Sequence, residues 1–177
     1  MRAEYTAVKN VMAVNDQIFE QLDKLRGSKT VIVGVGQILK GDDGAGPLVC
    51  RQLQNKNCAE VIDAATVPEN YIQTIIKKAP QNLVIIDAID FAAPAGTIKI
   101  FKPQQLDSLV FSTHALSPHL FVDMIKKQIE VDVCFIGIQP AQIGLGQPLS
   151  AEVTRAVQWL VDILAGIFPA PSKSVQS

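Results

Sequence analysis

The chain has 177 residues, 48% of them hydrophobic, and a formal net charge of -1. That size and apolar fraction suit one domain with a core large enough to need no disulfide or metal staple. No basic cluster is denser than Lys77-Lys78 or Lys126-Lys127 and no apolar run is long enough to cross a bilayer, so neither a nucleic-acid partner nor membrane insertion is expected.

The N-terminal MRAEYTAVKNVMAVND has neither an apolar leader core nor a small-residue cleavage site, and a cytoplasmic protein is expected. Val8, Met12, Ile18, Phe19, Leu22 and Leu25 recur at helical spacing, which predicts an amphipathic helical extension over 1–28, ended by Gly27. Thr30 to Val35 is β-branched and too short for a helix, and reads as a buried parallel strand. A helix follows from about Pro47, a residue suited to the first helical position, to Gln54. Next come a strand near Glu60 to Asp63, a helix near Asn70 to Lys78 stopped by Pro80, and an apolar strand from Leu83 to Asp87. Thr97 to Phe101 alternates polar and apolar as an antiparallel edge strand would. A helix from about Pro118 to Ile129, a strand from Val131 to Ile138, and a helix from about Ala151 to Ile167 capped by Ser150 complete a core of 29–168. The tail 169–177 reads as disordered. The expected fold is α/β: a three-layer αβα sandwich on a mostly parallel twisted sheet of about five strands, with an antiparallel edge strand and helices on both faces.

The stretch TVIVGVGQILKGDDGAGPLV, Thr30 to Val49, carries most of the chemical information. A strand breaks into a glycine-rich loop holding Asp42 and Asp43, at the sheet edge where open α/β folds bind ligands. The dinucleotide fingerprint fails because Leu39 stands where the third glycine belongs. The phosphate-cradling loop fails because Lys40 precedes the glycine and Asp42 follows it. A cation is therefore a better ligand than a phosphate, the structural alternative being that one aspartate caps the next helix. The three cysteines, Cys50, Cys58 and Cys134, show no CxxC spacing and read as buried, reduced thiols.

Asp43 after the first strand, Asp87 closing LVIID, and His114 in FSTHALSPH all fall at carboxyl ends of predicted elements. Two carboxylates and an imidazole suit a borderline divalent metal with open positions; turn and helix capping is the competing explanation. Asp90 could replace Asp87 but lies at a loop start. Gln139-Pro140 and the glycines of IGLGQP form a loop at the same edge that could hold an extended peptide, or could simply connect. Trp159 and Phe168 fit core packing.

The blocks GVGQILKGDDGAGPL, TVPEN (Thr66 to Asn70), LVIIDAID (Leu83 to Asp90), PAGTIKIF, STHAL (Ser112 to Leu116) and GIQP (Gly137 to Pro140), in this order and spacing, resemble the hydrogenase maturation endopeptidases, the hydrogenase 3 type above all. The likeness runs from about Thr30 to Phe168. It implies a cytoplasmic endopeptidase that removes the C-terminal extension from a nickel-iron hydrogenase large-subunit precursor after nickel insertion. It also implies that Asp43, Asp87 and His114 engage nickel delivered in that substrate. The chain has no GxSxG elbow or Cys-His pair, in keeping with metal-assisted hydrolysis. A non-catalytic checkpoint module that holds the nickel-loaded partner is the alternative from another class. Gln37 stands where relatives usually have asparagine. His119, in Ser-Pro-His, is the reserve ligand to His114, because it would fall within the first turn of the following helix.

Overall fold

The computed structural model describes residues 16–56, 60–106, 110–111 and 117–169. A short helix α1 (residues 16–23) precedes the central strand β1 (Thr30–Val35), all six of whose residues are buried. After a 3-10 turn, Gly41–Gly44, come α2 (Ala45–Asn55) and β2 (Glu60–Ala65). A second 3-10 turn, Pro68–Tyr71, leads into α3 (Ile72–Lys78) and then β3 (Asn82–Asp90). The chain continues through β4 (Ile98–Phe101), β5 (Val110–Phe111), α4 (Pro118–Lys126), β6 (Asp132–Ile138) and α5 (Ala151–Ile167).

The main sheet runs β2-β1-β3-β6-β4, parallel except for β4, which is antiparallel to β6. The expected fold is the observed one, including the antiparallel edge at TIKIF. The short β5 lies off this path and pairs with the end of β3, Ile89 opposite Phe111 and Asp90 opposite Val110. Strand residues alternate between two cores. Ile32, Val84, Ile86, Ile136 and Ile138 face α1, α2 and α5; Val31, Val33, Leu83, Ile85 and Phe135 face α3 and α4. Ile18 and Leu22 of α1 are buried in the first of these, and Arg26 donates to Gly166 O at 2.8 Å, so this part of the N-terminal extension packs on the domain. Val8, Met12 and the tail beyond Pro169 lie outside the described residues. Phe168 is buried and Trp159 packs against the same core, as expected. Among the described residues no helix is long and apolar enough to cross a membrane.

Several boundaries differ from the sequence expectation for identifiable reasons. The α2 helix begins at Ala45, so Pro47 is its third residue; its missing N–H still falls among the four that a helix start leaves unpaired. The Asn70 start of the next helix becomes a 3-10 turn, and α3 ends because Ala79 takes a left-handed φ of 42° before Pro80 can act. The α4 helix stops at Lys126. β3 runs on to Asp90 because β6 continues beside it to Ala88 and β5 then takes up Ile89 and Asp90.

The α2 helix lies unusually close to the sheet. A Cβ on Gly46 would collide with Ile86 O and Val35 O and come within 2.8 Å of Val35 N, all main-chain atoms. A Cβ on Gly34 would strike Gly46 O and approach Cys50 Sγ to 2.6 Å. Gly46→Ala is therefore expected to cost about 3 kcal/mol in urea unfolding, at the upper end of overpacking effects because backbone cannot step aside. Ala79→Gly should raise stability by roughly 1 kcal/mol in the same assay, since it removes a Cβ from a left-handed position.

Candidate active site at the switch point of the sheet

From β1 the chain crosses through α2 to β2 on one side, then returns through α3 to β3 on the other side of β1. The strand order thus reverses between β1 and β3, the place at which open α/β sheets bind ligands beyond the carboxyl ends of their strands. The last β1 residue paired with β3 is Gly34, opposite Ile86. Asp87 is the next residue of β3: it keeps Gly137 of β6 as its neighbour on one side while β1 has already turned away on the other. Its side chain is fully buried.

The turn that ends β1 supplies Asp43. Gly36 donates its N–H to Ala65 O at 2.9 Å and takes a φ of 134°, where a Cβ would overlap Asp43 O, so only glycine fits. The N–H of Gln37 then donates to Asp43 Oδ2 at 3.0 Å. Asp43 is fully buried, and its 3-10 turn packs against β3. The Gln37 side chain touches this turn only through Oε1, 3.5 Å from Leu39 N, at the limit of a hydrogen bond. Gln37 meets Asp43 through its main-chain N–H, a contact that does not use its side chain.

Asp42 does different work. Its Oδ2 accepts from Ala141 N at 2.8 Å and Gln142 N at 3.0 Å, and its Oδ1 accepts from Ser150 N at 2.6 Å. The same two loops are joined by Asp42 N–H to Gln142 O at 3.0 Å, Gly41 N–H to Gln147 O at 3.1 Å and Gly146 N–H to Leu39 O at 2.7 Å. Ser150 caps α5 by accepting from Val153 N, so Asp42 also sits at the positive end of that helix. Neither aspartate caps α2, whose N-cap position is Gly44 and which has no side-chain cap. The capping alternative is corrected on this point: Asp42 ties loop to loop, and Asp43 is held by the turn at the end of its own strand.

Asp90 is likewise a loop group. It accepts from Ala92 N and from the Gln139 amide, each at 3.0 Å, and these donors hold its carboxyl below the ordinary aspartate range. Gln139, buried at the end of β6, also accepts from Phe91 N at 2.9 Å and Ala93 N at 3.2 Å. One amide thus fastens the loop after β3 to the end of β6, a role hidden in the sequence because its partners lie 46 to 49 residues away. Glu69, in the TVPEN block after β2, has an Oε2 that is buried with no hydrogen-bond partner among the described residues.

Asp43, after β1, and Asp87, in β3 where β1 turns away, thus stand at the same edge of the sheet and both are buried, whereas His114 lies outside the described residues. Among the described residues no three His, Cys, Asp or Glu side chains form a group able to hold a metal. His119 is the second residue of α4, behind the Ser117 cap and Pro118, which explains Ser-Pro-His as a helix start. Cys50 is buried and its thiol is pushed up by desolvation, with Asp63 adding to the effect; burial pushes Cys134 up to about 11. Both are protonated at neutral pH and poor nucleophiles. Cys58 lies outside the described residues. Carboxylates, and a water that they could activate, are the chemistry this edge offers.

The sequence profile of a family described as hydrogenase maturation protease matches residues 48–167, a span that contains Asp87 and His114 and begins after Asp43. The hydrogenase 3 maturation protease of Escherichia coli K12 is 34% identical over 140 residues, covering 77% of this chain and 88% of that one. The crystal structure of a [NiFe] hydrogenase maturation protease, HycI, from Thermococcus kodakarensis superposes with a TM-score of 0.75 at 30% identity, over 83% of this chain and 97% of that one. The solution structure of an endopeptidase HycI from Escherichia coli gives a TM-score of 0.71 at 33% identity, over 78% and 90%. With relatives of this kind the chain is read as an enzyme, and the non-catalytic module is set aside.

Asp42→Asn turns an amide N–H toward main-chain N–H donors, and is expected to cost about 2–4 kcal/mol in urea unfolding. Iodoacetamide at pH 7.5 should leave Cys50 and Cys134 unmodified in the folded protein, read by peptide mass, because both thiols are held protonated.

Proposed function

The chain belongs to the hydrogenase maturation protease family, and we propose that it removes the C-terminal extension of a nickel-iron hydrogenase large-subunit precursor in the cytoplasm, after nickel has been inserted. What supports this reading is that Asp43 and Asp87, both buried, stand at the switch point where β1 and β3 part, in a chain whose described cysteines are inert thiols. Nickel enters with the substrate, held by the precursor, and meets Asp43, Asp87 and His114. Oxygen and imidazole donors suit such a borderline metal and leave positions open to the precursor's own ligands.

Cleavage is a hydrolysis. Water adds to the scissile carbonyl carbon, the carbon-nitrogen bond breaks, and the proton taken from water is delivered to the leaving amine. A carboxylate at this edge is the group that takes and returns that proton. His114 is the assigned imidazole, and His119, in the first turn of α4, is the reserve.

The test is incubation of the purified chain with nickel-loaded and nickel-free precursor, read by intact mass. Loss of the extension from the loaded form alone is expected. Asp43→Asn and Asp87→Asn should each slow it by roughly 10²-fold or more, His114→Ala should do likewise, and His119→Ala should be close to wild type. Equal cleavage of the nickel-free form would remove nickel from the reading. Failure to cut several cognate precursors would remove the proteolytic assignment to this substrate class.

A further inference from the structure

The two most exposed large apolar side chains of the described residues are Leu145, at 78%, and Leu39, at 60%, with Ile143 and Ile38 exposed beside them. Single exposed leucines need no explanation, but these four share two loops that are bonded to each other. Lys40 N–H donates to Gln37 O at 2.9 Å, which makes Ile38 and Leu39 the central residues of a tight turn. Gln147 N–H donates to Gly144 O at 3.1 Å, which makes Leu145 a central residue of another, with Gly146 beside it at a φ of 77°. Gly146 N–H on Leu39 O, at 2.7 Å, joins the two turns.

Turn centres ordinarily carry proline, glycine or small polar residues, for which the turn supplies a use. Leu39 and Leu145 gain little from the fold, since their side chains stay largely in water and the loops are held by main-chain bonds and by Asp42. The turns are also continuous with the site: Gln37, which opens the first turn, donates its N–H to Asp43 Oδ2. An apolar rim therefore begins one hydrogen bond away from Asp43.

We propose that Leu39 and Leu145 form an apolar subsite that grips an apolar side chain of the precursor peptide next to the bond that is cut. The assignment rests on the proposed function above and adds to it what the substrate must present: a peptide with a hydrophobic side chain beside the scissile bond, laid across the joined turns. The leucines are specificity-determining, and Asp43 and Asp87 act without them.

The experiment compares wild type, Leu39→Ser/Leu145→Ser and Leu39→Met/Leu145→Met on nickel-loaded precursor. The serine pair should raise KM about tenfold or more, as loss of an apolar pocket contact does, with kcat within about twofold. The urea midpoint should not move, and the methionine pair should restore KM. An unchanged KM in the serine pair overturns the subsite. So does a concentration-dependent dimer of the wild type that the serine pair abolishes while KM stays the same, because the rim would then be the interface of two copies. Asp43→Asn is run in parallel: if it cuts at the wild-type rate, the catalytic assignment falls, while the comparison of KM values still decides the subsite.

Discussion

The arrangement depends on one carboxylate that does no chemistry. Asp42 lies fully buried and gathers three main-chain N–H groups from the segment between β6 and α5. Amide donors to an ionised acceptor are among the stronger hydrogen bonds, and three on one group can compensate its desolvation. Without them the loop after β1 and the loop after β6 would be two separate excursions at the sheet edge. With them the loops form one wall, and the residue after Asp42 has a fixed place beside β3.

The second constraint is the closeness of α2 to β1 and β3. Gly34 and Gly46 let main chain lie against main chain, where any Cβ would hold the helix away. This brings the start of α2 directly over the point at which β1 leaves β3, so that the turn bearing Asp43 is short and stiff. The glycines of the sequence thus divide into two uses. Gly36, Gly41 and Gly146 supply backbone conformations with positive φ, whereas Gly34 and Gly46 supply space. The acid pair divides in the same way: Asp42 fastens loop to loop, and Asp43 is held by the turn at the end of β1.

Much of the fold was legible because its signals are local. The α5 helix, Ala151–Ile167, was readable to the residue because Ser150 caps it and its apolar positions keep helical period. The antiparallel edge at β4 was readable from the alternation in TIKIF, and β1 from a β-branched run interrupted by Gly34. What escaped lay in tertiary partners. β3 extends past Asp87 because β6 and β5 offer it hydrogen bonds, and no pattern within the strand says so. The site was half legible. Asp43 and Asp87 stand at strand ends, a position that periodicity reveals, but nothing local distinguishes Asp42 from Asp43, since the donors that define Asp42 lie about a hundred positions downstream. Gln139 was visible only as part of a loop, because its clamp on Phe91, Ala93 and Asp90 requires β3 and β6 to be neighbours already. Leu39 and Leu145 had no signal at all, as a leucine in a loop looks the same whether it faces water or a pocket.

The span of the Asp42 contacts also sets an order of events during synthesis. Its partners are separated from it by 99 to 108 residues, so the carboxylate waits through the emergence of every strand of the sheet before its last donor, at the head of α5, is available. Long-range pairings of this kind close late, since the loop entropy they forfeit is recovered only once the intervening chain is ordered. A nascent chain that has made β1 to β6 but not the start of α5 has its acid pair without the completed bolt. The wall beside the acid pair is therefore complete only once the head of α5, with the Ser150 N–H, has joined the sheet edge.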